Sequence, residues 1–336
     1  MNDPIDHTAK GRRRGFLTAL AVLLVLSAPI AAAQTPKPPP PATPAALPFV
    51  LKQIGPGVYA AIDGPKGTSG SNAGVVIGDD GVLVVDSFFN PSAAKALLAE
   101  IRKITPKPVR YVVNTHYHAD HVGGDNVLRD AGAIIIAHRN VHGWVRTENA
   151  HLFGDKITPA QRDFIAHLAL PDLTIDKDMT VWLGSRKVEV RTELGHTGGD
   201  LTIAVPDAKV LFCGDLLWRH TSPNIIDGTV SQWIATDDGF QHLPDAATVT
   251  FVPGHGDLAT VKDVADFEAY LTDLSAMTAD ARRAGLSGDA LVAAVKPRLK
   301  ARYGGWDSFD YFAAKEIGFM DAELAGTKRV PTPRGD

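Results

Sequence analysis

The chain has 336 residues, a formal charge of -4 and 45% hydrophobic content. This balance describes a globular protein and excludes a disordered chain, a collagen-like chain and a basic nucleic-acid binder. Its one cysteine, Cys213, excludes an intramolecular disulfide and any cysteine-rich zinc module.

The first element is an address. Arg12 to Arg14 precede an apolar run from Phe16 to about Leu26, which ends in the small residues Ala31-Ala32-Ala33. This pattern reads as a signal peptide over 1–33, and Arg13-Arg14-Gly15-Phe16-Leu17 resembles the twin-arginine export type. The run is too short for a permanent span, so no membrane segment is expected after cleavage, and a periplasmic or secreted location is expected. Residues 34–48 are proline-rich and read as an extended linker.

Residues 49–325 read as one α/β domain. Short β-branched runs at 75–78 and 82–85 flank Asp79-Asp80-Gly81, a hairpin signal. Helical spacing follows at 92–103, a strand at 109–113, and a helix and strand pair at 126–129 and 133–137. Residues 140–178 read as helical or irregular. Strands are predicted at 179–183, 187–191, 201–205, 209–213 and 248–252, with helices at 229–241 and 261–284. Two further helical patterns carry the chain to Ala325.

The chemistry lies in the histidines. Asn114-Thr115-His116-Tyr117-His118-Ala119-Asp120-His121 holds three imidazoles and a carboxylate within six positions. On an extended segment His116, His118 and Asp120 share a side, and His121 joins them if the chain turns helical there. Imidazole and carboxylate without thiolate suit zinc, ahead of manganese or iron. Four such residues cannot complete two sites. The predicted partners are His196, Asp215 and His255, each beside a glycine that lets the backbone come close.

With these residues in this order, the chain resembles the metallo-β-lactamase superfamily over roughly 50–268. The resemblance implies an αββα four-layer sandwich with a two-zinc site at one edge of the sheets. It implies His116, His118 and His196 on one ion and Asp120, His121 and His255 on the other, with Asp215 bridging. It also implies that Asp86 supports the ligands from behind. The sequence is similar above all to the exported quinoprotein-associated zinc metallohydrolase-like group, which shares its His-Ala-Asp-His-Val-Gly-Gly run and Pro-Gly-His-Gly turn.

Two ions can hold a bridging hydroxide and polarise a carbonyl, so the expected activity is hydrolysis of a small molecule. Asp120 is the expected catalytic residue, orienting the attacking water and managing its proton. A β-lactam or another cyclic amide or ester is the expected substrate. A lactonase, another esterase and a silent metal-binding accessory protein are the alternatives. Arg219 and His220 are candidate substrate contacts. Cys213, on an apolar run, reads as a buried small hydrophobe. Trp144, Phe153 and Phe164 could form either an apolar wall or core. The sequence leaves the oligomeric state open.

Overall fold

A computed structural model describes residues 46–64 and 67–332. The expected signal at 1–33 and nearly all of the linker at 34–48 lie outside the described residues. Strands Phe49–Gly55 (β1) and Val58–Asp63 (β2) pair antiparallel across Pro56-Gly57 and were not anticipated from sequence. Ala73–Ile77 (β3) and Val82–Val85 (β4) form the predicted hairpin, with Ile77 opposite Val82. Helix Pro91–Ile104 (α1) opens on a proline, which costs nothing at a first turn, and crosses to Val109–Val113 (β5). The short helices Ala119–Val122 (α2) and Asp125–Asp130 (α3) lead to Ile134–His138 (β6). Helices Arg139–Trp144 (α4), Thr147–Phe153 (α5) and Pro159–Ala166 (α6) follow. Leu173–Ile175 (β7) then closes a seven-stranded sheet in the order β1 to β7. Leu173-Thr174-Ile175 alternates apolar and polar, but three largely exposed residues are too short a run to announce a strand.

The second sheet comprises Met179–Leu183 (β8), Arg186–Glu193 (β9), Asp200–Val205 (β10) and Val210–Trp218 (β11). Helix Val230–Gln241 (α7) precedes its last strand, Thr250–His255 (β12). Its order is β12-β11-β10-β9-β8, and β12 runs parallel to β11. Helices Val261–Arg283 (α8), Gly288–Tyr303 (α9) and Phe309–Leu324 (α10) complete the fold. The sequence ends β11 at Cys213, whereas the strand continues to Trp218 across an irregularity at Gly214. Asp215 therefore sits inside a strand.

Strand alternation sorts the side chains into layers. Leu83 and Val85 meet Leu201, Ile203 and Phe212 between the sheets. Val82 and Val84, on the opposite face of β4, pack under α1 with Leu97 and Ile101. Leu211 and Cys213 face outward from β11 onto α7 and α8, among Trp233, Phe267 and Leu271. The architecture is an αββα four-layer sandwich with added C-terminal helices. Cys213 is buried in that outer layer, and burial pushes its thiol well above the usual range. Among the described residues, no helix is long and apolar enough to cross a membrane.

Ser222 and Tyr270 donate hydrogen bonds to Glu316, which is 1% exposed. Burial raises this carboxyl from 4.5 to about 8, against those two hydrogen bonds. The folded chain therefore keeps a proton that the unfolded chain releases, so stability falls as pH rises from about 4.5 to about 8. Urea unfolding should show this fall, of the order of 5 kcal/mol across the full window, and Glu316→Gln should flatten it. Beyond α10 the chain straps back over the first sheet's helices. Lys328 Nζ donates to Gly228 O at 2.7 Å, Arg329 pairs with Glu148 at 2.7 Å, and Trp144 Nε1 donates to Thr332 O at 2.9 Å.

Candidate metal centre

The predicted donors converge where the parallel strands end. Asp86 follows β4, His116 to His121 follow β5, His196 precedes β10, Asp215 lies in β11 and His255 ends β12. His116 and His118 lie on an irregular segment, and the turn into α2 brings His121 round to join them. Two groups form: His116, His118, His196 and Asp215 in one, and Asp120, His121 and His255 in the other. Asp215 joins them. Its Oδ2 lies 3.3 Å from His196 Nε2 and 3.8 Å from His116 Nε2. Its Oδ1 lies 3.0 Å from His121 Nε2 and 3.4 Å from His255 Nε2. Asp120 Oδ2 lies 3.3 Å from His255 Nε2 and 3.6 Å from His121 Nε2.

Three of the rings, those of His116, His118 and His121, are aimed by what holds their other nitrogen. His121 Nδ1 donates to Asp86 Oδ2 at 2.8 Å. Thr115 Oγ1 donates to the same oxygen at 2.8 Å and lies 3.0 Å from His116 Nδ1, from which it accepts. Asp86 thus orients one donor of each group, directly and through Thr115. His118 Nε2 lies 3.4 Å from Asp227 Oδ2, which also accepts from the Tyr117 hydroxyl. Asp227 was not singled out from sequence, because a lone aspartate over a hundred positions away carries no local signal.

Asp86 has φ +58, a left-handed conformation that asparagine also tolerates. Asp86→Asn should therefore keep the backbone and spoil the orientation of both rings. Chelator competition should show metal affinity lower by roughly 10–100-fold, with the far-ultraviolet dichroism unchanged.

The donor set fits cations. His116 Nε2, His121 Nε2, His255 Nε2 and Asp215 Oδ1 are buried without a hydrogen-bond partner. Such orphaned atoms are costly unless something coordinates them. His196 Nε2 and His118 Nδ1 lie 2.9 Å apart, close enough for one ion to meet both. Charge tells the same story. Burial holds His116 well below the ordinary imidazole range and His196 at about 3. His255 goes the other way, to about 9, because Asp215 and Asp120 outweigh its burial. Asp120 falls to about 2, its burial outweighed by His121 and His255. The site demands positive charge beside its two carboxylates. Nitrogen and carboxylate donors in two sets suit divalent ions of the zinc class.

A cavity of about 410 Å³ opens onto His118, Asp120, Asp215 and His255. Trp218 lies beside it, its ring stacked 4.1 Å from that of His255. Phe153 lines the cavity, whereas Trp144 is core and Phe164 packs on Phe89 at 5.2 Å. Arg219 and His220 are not among the lining residues, although Trp218 and Thr221 on either side are. Arg219 is held by Asp263 at 3.0 Å. The backbone turns through φ +52 at His220, whose side chain is 51% exposed and 3.7 Å from Asp263. Phe89, Asn149, Ser308 and Phe312 also line the cavity and were not foreseen. They come from loops and helices far apart in sequence, where no spacing rule links them.

Comparison with known proteins agrees with this geometry. A hydroxyacylglutathione hydrolase of Synechococcus sp. is 25% identical over 162 residues, 48% of this chain and 55% of that protein. The chain thus aligns with only about half the length of that relative. The 2,4-dinitroanisole O-demethylase subunit alpha of Nocardioides sp. is 28% identical over 249 residues, 71% of this chain and 70% of that protein. The solved sec-alkylsulfatase Pisa1 of Pseudomonas sp. superposes with a TM-score of 0.65 at 18% identity, over 83% of this chain and 50% of that one. Residues 67–269 match the sequence pattern of the metallo-beta-lactamase superfamily, and the chain belongs to that superfamily.

Proposed function

We propose that this chain is an exported hydrolase with two zinc ions, which cleaves an ester or amide at its carbonyl carbon. One observation carries the reading: the two oxygens of Asp215 each face a different donor group. Ions bound there would supply Lewis acidity and an acidified water at neutral pH. His116, His118 and His196 would hold one ion, and Asp120, His121 and His255 the other. Asp120 is the donor with the most exposed side chain, 32%, and it lines the cavity. Ionised throughout the neutral range, it can accept the proton of an attacking water and return it to the leaving oxygen or nitrogen. The arginine pair Arg13-Arg14 before an apolar run supports export. The printed names of the relatives span several chemistries, so the superfamily does not fix the substrate.

The test is a panel of esters, lactones and β-lactams offered to the zinc-loaded chain, with metal content measured alongside. We expect two zinc ions per chain, and a hydrolysis rate reduced roughly 100-fold or more in folded Asp120→Asn. Undiminished turnover in that variant refutes the role of Asp120. One ion per chain refutes the two-ion reading.

A further inference from the structure

The walls of the cavity define a substrate class. Phe89, Leu152, Phe153, Trp218 and Phe312 give it an apolar, mostly aromatic lining beside the donor His255. Trp218 and Phe312 stand 6.5 Å apart at 82°, an edge-to-face pair forming one end of that lining. Phe312 comes from α10 and Ser308 from the residue before it, so the start of the last helix forms one wall of the site.

Away from the donors Asp120, Asp215, His118 and His255, the polar lining is neutral and mostly in use. Asn149 accepts from Ala119 N at 2.8 Å and donates to Tyr117 O and Val145 O. Thr221 donates to Arg219 O at 3.2 Å, and Asn224 Oδ1 accepts from Ile226 N. The amide nitrogen of Asn224 and the hydroxyl of Ser308 remain available for a neutral acceptor. Among the described residues, no lysine or arginine lines the cavity. Of the neighbouring cations, Arg219 is committed to Asp263, Lys328 to Gly228 O and Glu323, and Arg329 to Glu148, while Lys315 rests over the ring of Tyr311 at 3.8 Å and that of Phe312 at 5.7 Å. A carboxylate or sulfate away from the reacting centre would therefore lose water and gain no counter-charge, which is costly.

We propose that the substrate is uncharged away from its scissile bond: an aryl or alkyl ester or lactone whose apolar part packs between Phe153, Trp218 and Phe312. This rests on the hydrolase reading and narrows it. It moves the expectation away from β-lactams that carry a carboxylate.

Two matched pairs test the assignment on the zinc-loaded full chain. The first pair is para-nitrophenyl valerate and para-nitrophenyl hydrogen glutarate, which differ by one terminal methyl or carboxylate. The second is N-phenylnaphthylamine and its sulfonated analogue, anilinonaphthalene sulfonate, read by fluorescence without turnover. We expect kcat/KM to favour the valerate roughly thirtyfold, and the neutral dye to bind roughly tenfold tighter than the sulfonate. Phe312→Ser should erode both preferences, the first mainly through KM. If neither ester is cleaved but the dye preference holds and depends on Phe312, the cavity assignment stands and the hydrolase reading falls. Preference for the anionic member of either pair, or dye binding indifferent to Phe312→Ser, overturns the assignment.

Discussion

Asp215→Asn should abolish hydrolysis, by roughly a thousandfold or more, and leave less than the full complement of metal after dialysis. The substitution keeps size and shape and removes one negative charge from the point where the two donor groups meet. Asp215 is 3% exposed and lies within 3.8 Å of four imidazoles. Its carboxyl is held well below the usual range because His255, His121, His196 and His116 outweigh its burial. An amide in its place would turn an N–H toward one of those nitrogens, and only one oxygen would remain to serve two ions. Metal content after dialysis and the rate on any cleaved ester are the measurements. Both must fall together. A variant that keeps two ions and a rate within tenfold of the parent would show that Asp215 does not join the groups.

Gly254→Ala should produce a loss of similar kind, roughly a hundredfold or more in rate, although residue 254 offers no donor atom. A methyl group added there would come within 1.9 Å of Asp215 Oδ1 and 2.9 Å of the carbonyl carbon of Gly214. Neither atom can yield without moving the joining carboxylate. The backbone of Gly254 is not left-handed, so alanine suffers only the collision. Gly239→Ala provides the contrast: nothing lies within 4 Å of its added carbon. That helical variant should gain up to about 1 kcal/mol in thermal or urea unfolding and keep full activity. Equal behaviour of the two variants would refute the steric argument.

The sequence was most informative where a short segment carries several chemical constraints at once. Three histidines and an aspartate between residues 116 and 121 have few structural explanations, and the structure brings them together with His196, Asp215 and His255. The β3–β4 hairpin was legible because Asp79-Asp80-Gly81 fixes a turn between alternating β-branched residues. What escaped is what depends on distant contacts. β11 continues past Cys213 only because β12 pairs with it on the far side of Gly214. Asp227 matters because the fold sets it against His118, 109 positions earlier. Arg219 and His220 looked eligible by proximity to Asp215, but the turn at His220 and the grip of Asp263 leave both outside the cavity lining.

Ser308 and Phe312 line the cavity from beyond residue 269, where the superfamily match ends, whereas every proposed metal donor lies within it. The segment that would make water reactive and a segment that decides what reaches it are therefore separate stretches of chain. Exchanging residues 305–332 for those of another sequence would redraw one wall of the chamber and leave the donor atoms untouched. The strap through Lys328, Arg329 and Thr332 sets the terms of such an exchange, since a transplanted tail must still find Gly228, Glu148 and Trp144. One wall of the chamber is in that sense a separable fitting, while Phe89, Phe153 and Trp218 belong to the same stretch as the donors.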